Sequence, residues 1–262
     1  MTDTDTDTDT DTGTDTDTDP LVRAAHHRGV TTLTLDSPAN RNALSAALLR
    51  DLSDALTRCG EDDDVRAVVL THTGNTFCAG ADLRDPPDPK AMVALLRQIL
   101  ELPRPVVARV TGQVRAGGLG LLAACDIAAA GPDAGFALTE VRIGVAPAVI
   151  SLTLRPRTDP RALARYYLTG ERFDSAEAAR VGVLTLAGAD VDDLLEPVLD
   201  GLRRAAPKAL AETKRLLTTK VLKNFDADAG ELTSLSSRLF ASADAREGMT
   251  AFLERRDPGW VL

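Results

Sequence analysis

The 262-residue chain has few aromatic side chains and few cysteines or histidines. Aromatics make up only 3% of it, so its core must be aliphatic, built from Ala, Val and Leu. The three cysteines (Cys59, Cys78 and Cys125) are odd in number, widely spaced and lack nearby metal-spaced histidines. That excludes a disulfide framework and a structural zinc site, and points to a reducing compartment. No apolar run approaches the roughly 18 residues needed to span a bilayer, and the N-terminus is acidic rather than basic-then-apolar. There is no Lys/Arg block, so nucleic-acid binding has no electrostatic footprint. The expectation is a globular cytoplasmic protein with neither a membrane nor a nucleic-acid partner.

The formal net charge of -9 is concentrated at one end. Residues 1–19 alternate Thr and Asp almost without interruption and hold eight of the aspartates, leaving the remaining body close to neutral. A tract with no apolar group to bury, whose charges repel one another, cannot offset its ordering entropy and is expected to be disordered. The rest of the chain is long enough for one large or two modest domains with a substantial core.

Apolar runs of strand length then alternate with helical periodicity. Val30 to Leu35 alternates with period two and reads as a strand. Leu48, Leu52, Ala55, Leu56 and Cys59 share one helical face, and Gly60 stands where a left-handed C-cap belongs. Strands follow at 65–71, 105–110 and 127–130, with helices at 89–101 and 119–125 between them. This alternation predicts an α/β core with largely parallel pairing, spanning residues 20–190. Beyond it, 191–262 reads as a helical segment, with helices at 190–205, 207–223 and 228–255.

Two loops of small residues follow predicted strands, the usual place for sites in parallel sheets. One is Asn75 to Leu83; the other runs from Thr111 to Asp126 and includes Gly117-Gly118 at a helix start. Small residues let a ligand approach backbone N–H groups, and a helix N-terminus favours negative charge. Two N–H donors converging from separate loops would form an oxyanion hole. Gly118-x-Gly120-x-x-Ala123, with Glu140 twenty residues beyond Gly120, also fits a dinucleotide fingerprint. That pattern normally opens the first βαβ unit, whereas here more than eighty body residues precede it. Glu140 itself sits in the otherwise apolar stretch Phe136 to Ile150, where partial burial would raise its pKa and suit it to proton transfer.

Several segments together resemble the enoyl-CoA hydratase/isomerase (crotonase) superfamily from about residue 29 to the C-terminus. They are Ser37 to Leu44, Phe77 to Leu83, Ala116 to Gly118 with Ala123 to Asp126, and Phe136 to Pro147, followed by Leu168 to Phe173, Ala178 to Val183 and Asp244 to Met249. The resemblance implies a crotonase-like spiral of ββα turns, with a C-terminal helical oligomerisation segment building homotrimers or hexamers. It implies an acyl-CoA thioester substrate, with CoA part of that substrate rather than a separate cofactor, and no metal. The family's two oxyanion amides map onto Ala81 and Gly117, and its acid/base onto Glu140. Arg41, Ala43, Ala79, Gly80, Asp82, Leu83 and Gly118 would line the CoA path.

One departure bears on the chemistry. The family's two-glutamate hydratases carry their first glutamate where this chain has Gly120. A single glutamate is compatible with Δ3-Δ2 isomerases, which move one proton between C2 and C4. Gly120 with Ala146 to Ser151 also resembles a bacterial branch associated with methylglutaconyl-CoA-type hydration, and Arg115 is the candidate cation for the extra carboxylate of such a substrate. The sequence therefore predicts a short or branched enoyl-CoA hydratase using Glu140. The alternatives are an isomerase and a non-catalytic acyl-CoA-binding member, with a dinucleotide-dependent dehydrogenase as the rival from outside the family.

Overall fold

The computed structural model describes residues 20–84 and 86–262, so the Thr/Asp tail lies outside the described part. The chain begins as a hairpin, β1 (Val22–His27) with β2 (Val30–Leu35), and crosses through α1 (Ala46–Glu61) to β3 (Ala67–His72) and β4 (Thr76–Cys78). Next come α2 (Pro89–Glu101), β5 (Val106–Val110), β6 (Gln113–Arg115) and α3 (Gly117–Ala124). After β7 (Ile127–Ala130) and β8 (Gly135–Ala137), two short helices follow, α4 (Ser151–Leu154) and α5 (Pro160–Thr169). β9 (Arg172–Asp174), α6 (Ser175–Arg180) and β10 (Leu186–Ala187) complete the mixed region. From there the chain is helical: α7 (Val191–Arg204), α8 (Pro207–Phe240) and α9 (Ala243–Glu254).

The strands form two sheets. One has the order β1-β2-β3-β5-β7-β10 and is parallel except for the first hairpin; the other has the order β4-β6-β8-β9 and is parallel except at β9. The pairs β3/β4, β5/β6 and β7/β8 each place one strand in the first sheet and the next in the second before a helical stretch returns the chain. This is the repeating ββα turn of a spiral. Burial explains the residue choice: all six residues of β3 are buried. On one side of the first sheet lies the main core, with Leu33, Leu70, Leu96 and Phe136. The other side is closed by α7, whose Val191 and Leu195 pack on Val30, Val69 and Val107. Strands covered on both faces read as continuous apolar runs.

Three boundaries differ from the sequence expectation, one of them in the helix expected at 228–255, which is interrupted between α8, ending at Phe240, and α9, starting at Ala243. Gly60 is not a left-handed cap but lies inside α1, which ends on Asp62 in extended conformation. A Cβ at Gly60 would stand 3.1 Å from Leu102 Cδ1, so the glycine serves close packing instead. The expected break at 224–227 is absent, and α8 runs through it as one 34-residue helix. Its buried positions (Lys214, Thr218, Val221, Phe225, Thr233 and Ser236) keep helical spacing across the Asp-Ala-Asp-Ala-Gly stretch. Packing of that stripe outweighs the roughly 1 kcal/mol that Gly230 costs a helix interior. No helix of the described residues is long and apolar enough to cross a membrane.

A buried ion pair fastens α8 to the core. Lys214 Nζ reaches Asp126 Oδ2 at 2.7 Å and donates to the carbonyls of Ile99 (2.7 Å) and Arg104 (3.0 Å). All three ammonium hydrogens are thus used, while Asp126 Oδ2 also accepts from Val106 N at 2.8 Å. Burial pulls the Lys214 pKa down, and the Asp126 carboxylate opposes that shift. Removing one partner leaves a desolvated charge with nothing to balance it. Lys214→Ala should therefore lower unfolding free energy by roughly 3–5 kcal/mol in urea titrations. A loss below about 0.5 kcal/mol, typical of a surface pair, would contradict this anchoring role.

Candidate active site

The left-handed pair Arg41 (φ 58°) and Asn42 (φ 52°) shapes the loop between the first hairpin and α1. Asn42 is fully buried; its Oδ1 accepts from Ser37 N at 2.7 Å and its Nδ2 donates to Thr76 O at 2.7 Å. Asn tolerates this conformation and its amide pins the loop against β4. The Arg41 carbonyl then accepts from Ala79 N (3.1 Å), bringing residues 41–44 alongside 79–82.

Ala81 sits in an isolated parallel bridge with Leu44: Leu44 N donates to Gly80 O (2.8 Å) and Asp82 N to Leu44 O (3.0 Å). Because successive peptide groups of an extended strand face opposite ways, the Ala81 N–H points away from Leu44. It has no acceptor among the described residues. Gly80 makes this possible twice over. Its φ is +95°, and a Cβ there would lie 2.9 Å from Ala116 Cβ, so only glycine lets the two loops touch.

The second loop turns at Ala116, which holds φ 46° and ψ −118° at the N-cap of α3. A non-glycine residue there carries backbone strain of about 1–3 kcal/mol. The turn aims the first amide of α3, Gly117 N–H, out of the helix, where it too lacks an acceptor among the described residues. The Gly117 and Ala81 backbones are neighbours: a Cβ on Gly117 would stand 4.0 Å from Ala81 N. Residues 118–124 of α3 are all buried, while Ala116 and Gly117 at its positive end are half-buried.

Glu140 opens a 3-10 turn, Glu140–Ile143, directly after β8. It is 8% exposed, and its Oε2 is buried without a hydrogen-bond partner. Burial pushes its pKa up to about 7, opposed by a hydrogen bond from its own backbone N–H. A carboxyl half-protonated near neutrality is suited to taking and returning a proton.

One cavity of about 610 Å³ is lined by Arg41, Ala43, Ala79, Gly80, Ala81, Asp82, Leu83, Gly117 and Glu140. Two candidates fall outside it. The Arg115 guanidinium lies over the β6/β8 pair, where Nη1 donates to Gly135 O (2.6 Å) and Val114 O (2.9 Å) and Nη2 to Gln113 Oε1. Its hydrogen bonds are spent on the sheet, not on a ligand. Gly118 faces Cys78, whose Cβ would meet an added side chain at 2.7 Å; it serves helix–strand packing.

Sequence reading missed the far wall. Met92 of α2, Val145 to Ile150, Ser236 and Phe240 of α8, and Phe252 and Leu253 of α9 also line the cavity. Phe252 and Leu253 are 60% and 52% exposed, although large apolar side chains are normally covered. Their apolar character amid a polar C-terminal segment was the available signal.

Residues 25–261 match the model of the enoyl-CoA hydratase/isomerase family. The chain belongs to that family. An enoyl-CoA hydratase from Mycobacterium avium of known crystal structure superposes with a TM-score of 0.88 at 50% identity, covering 93% of this chain and all of that one. An enoyl-CoA hydratase of Mycobacterium tuberculosis is 32% identical over 89% of this chain and 94% of its own length. The 2,3-dehydroadipyl-CoA hydratase of Escherichia coli is 31% identical over 87% and 94%. The α/β spiral with its C-terminal helices is thus the crotonase fold, and this chain is an enzyme of the hydratase/isomerase family.

Burial of Glu140 has a cost in stability. Because its folded-state pKa lies above the ordinary carboxylate value, the folded protein holds the proton more tightly than the unfolded chain. Stability from this group is full at low pH and is lost as pH rises to about 7. Glu140→Gln removes the titration. The stability of the variant relative to the unaltered protein should rise by roughly 2–3 kcal/mol between pH 5 and pH 8. Parallel urea titrations at the two pH values measure it, and a constant difference would contradict the buried, raised carboxyl.

Proposed function

We propose that this enzyme adds water reversibly to a short 2-enoyl-CoA thioester with an uncharged acyl group. The observation that carries the reading is the pairing of two acceptor-free amides, Ala81 and Gly117, with the buried Glu140 in one cavity. The thioester oxygen accepts from both amides, and charge develops there as the water oxygen bonds to C3. The Glu140 carboxylate takes one proton of that water; the resulting enolate then collapses and takes the same proton at C2. The carboxylate ends as it began, so one acid suffices and Gly120 need contribute none. Dehydration is the same path reversed.

Charge around the cavity supports an uncharged acyl group. The cations of the lining, Arg41 and Arg84, belong to the 39–44 and 82–89 segments, where they suit the phosphates of CoA. Around Glu140 the lining is Thr139 and the apolar Ile143, Val145, Ala146, Pro147, Ala148, Val149 and Ile150, with no cation among them. A free carboxylate on the acyl group would be buried there without a cationic partner, at several kcal/mol. The glutaconyl-type substrate suggested by Arg115 is therefore set aside. Exposed Leu168, Leu216 and Leu217 on α5 and α8 support the expected self-association into trimers or hexamers.

Incubation with crotonyl-CoA in heavy-oxygen water should place label in the 3-hydroxyacyl product. Glu140→Gln should reduce turnover by roughly 10²-fold or more. Since both directions begin from the carboxylate, kcat/KM should rise with pH through about 7 and then stay level. Double-bond migration without label would instead identify an isomerase, and near-normal turnover of the variant would reject Glu140 as the acid/base.

A further inference from the structure

Gly120 lies one turn into α3, where Ile150 crosses it. A Cβ at position 120 would stand 2.5 Å from Ile150 Cγ2, 2.9 Å from Ile150 Cβ and 3.5 Å from Met92 Cε. The first two distances are below any normal carbon–carbon contact, and the obstacle is the stem of a β-branched side chain rather than a flexible end. Ile150 cannot withdraw easily, because its backbone is held on both sides. Thr153, fully buried, reaches both Gly120 O (3.1 Å) and Ile150 O (3.2 Å) through its hydroxyl. Ser151 Oγ donates to Pro147 O at 2.7 Å, securing the chain just before it. Ile150 is 4% exposed and lines the same cavity as Glu140.

We propose that Ile150 is a specificity-determining residue: it occupies the volume of any side chain at 120, makes the site a one-carboxylate site, and limits the width of the acyl end. The inference rests on the reading of this cavity as an enoyl-thioester site. Gly120 is then not simply an acid lost. The glycine and the isoleucine form one packing unit, and replacing either alone leaves a clash or a void. With Met92, Ile150 gives the acyl group a hydrocarbon wall where a two-acid site would present a second carboxylate to water. Bulk added at C3 of the acyl group must compete with that wall for space.

A double-mutant cycle tests the contact without reference to turnover. Gly120→Ala should lower Tm by roughly 5 °C in the unaltered background. It should lower Tm by clearly less beside Ile150→Ala, which removes the 2.5 Å contact with Cγ2 and leaves only the one with Cβ at 2.9 Å. Calorimetry with unreactive thioether analogues of crotonyl-CoA and 3-methylcrotonyl-CoA tests width. Ile150→Ala should improve the Kd ratio in favour of the branched analogue by roughly 10-fold, the scale of a methyl group in a hydrophobic pocket. Additive Tm effects would overturn the packing unit, and a Kd ratio unchanged within about twofold would overturn the specificity role. Failure of the unaltered enzyme to add labelled water would sink the hydratase reading alone, since neither measurement here depends on catalysis.

Discussion

The site depends on one constraint: two backbone N–H groups from different turns of the spiral must meet at one point with neither finding a protein acceptor. Most backbone amides find an acceptor within the protein, and leaving two of them, on half-buried residues, open to a cavity must be imposed by the fold. Here it is enforced twice. The Leu44 bridge turns the Ala81 amide outward, and the strained Ala116 turn does the same for Gly117. Contact of Gly80 with Ala116 locks the two loops together. On the proposed reading, a thioester oxygen that becomes negative would accept from both amides, and those interactions would be strongest in the transition state.

Glu140 obeys the same logic. Its Oε2 is buried without a hydrogen-bond partner, and that burial destabilises the charged form and holds its pKa near 7. A hydrogen-bond donor beside it would stabilise the fold and lower its basicity. Stability and basicity are thus opposed at this residue, and the surrounding core, with the Lys214–Asp126 anchor among its supports, tolerates the deficit.

Much of this was legible in the sequence, for identifiable reasons. The long strands β2, β3 and β5 carry strong apolar patterns, and the two glycine-bearing loops stood out by their small residues. The second strand of each turn, β4, β6 and β8, is only three residues long, too short for any periodicity to register. Arg115 was misassigned because sequence adjacency to an oxyanion loop says nothing of where a long side chain points; its neighbours Gly135 and Gln113 claim it. The lining from α8 and α9 comes from more than a hundred residues beyond the loops and depends on how the helical segment folds back. Ile150 could be recognised as a partner of Gly120 only once their 2.5 Å approach was visible.

The most direct measurement is a crystal structure of the enzyme with a bound acyl-CoA thioester analogue. The account requires the thioester oxygen to lie at about 3 Å from both the Ala81 and Gly117 nitrogens, with a Glu140 oxygen facing C2 and C3. An oxygen turned to solvent, or within hydrogen-bonding distance of only one of the two amides, would contradict it.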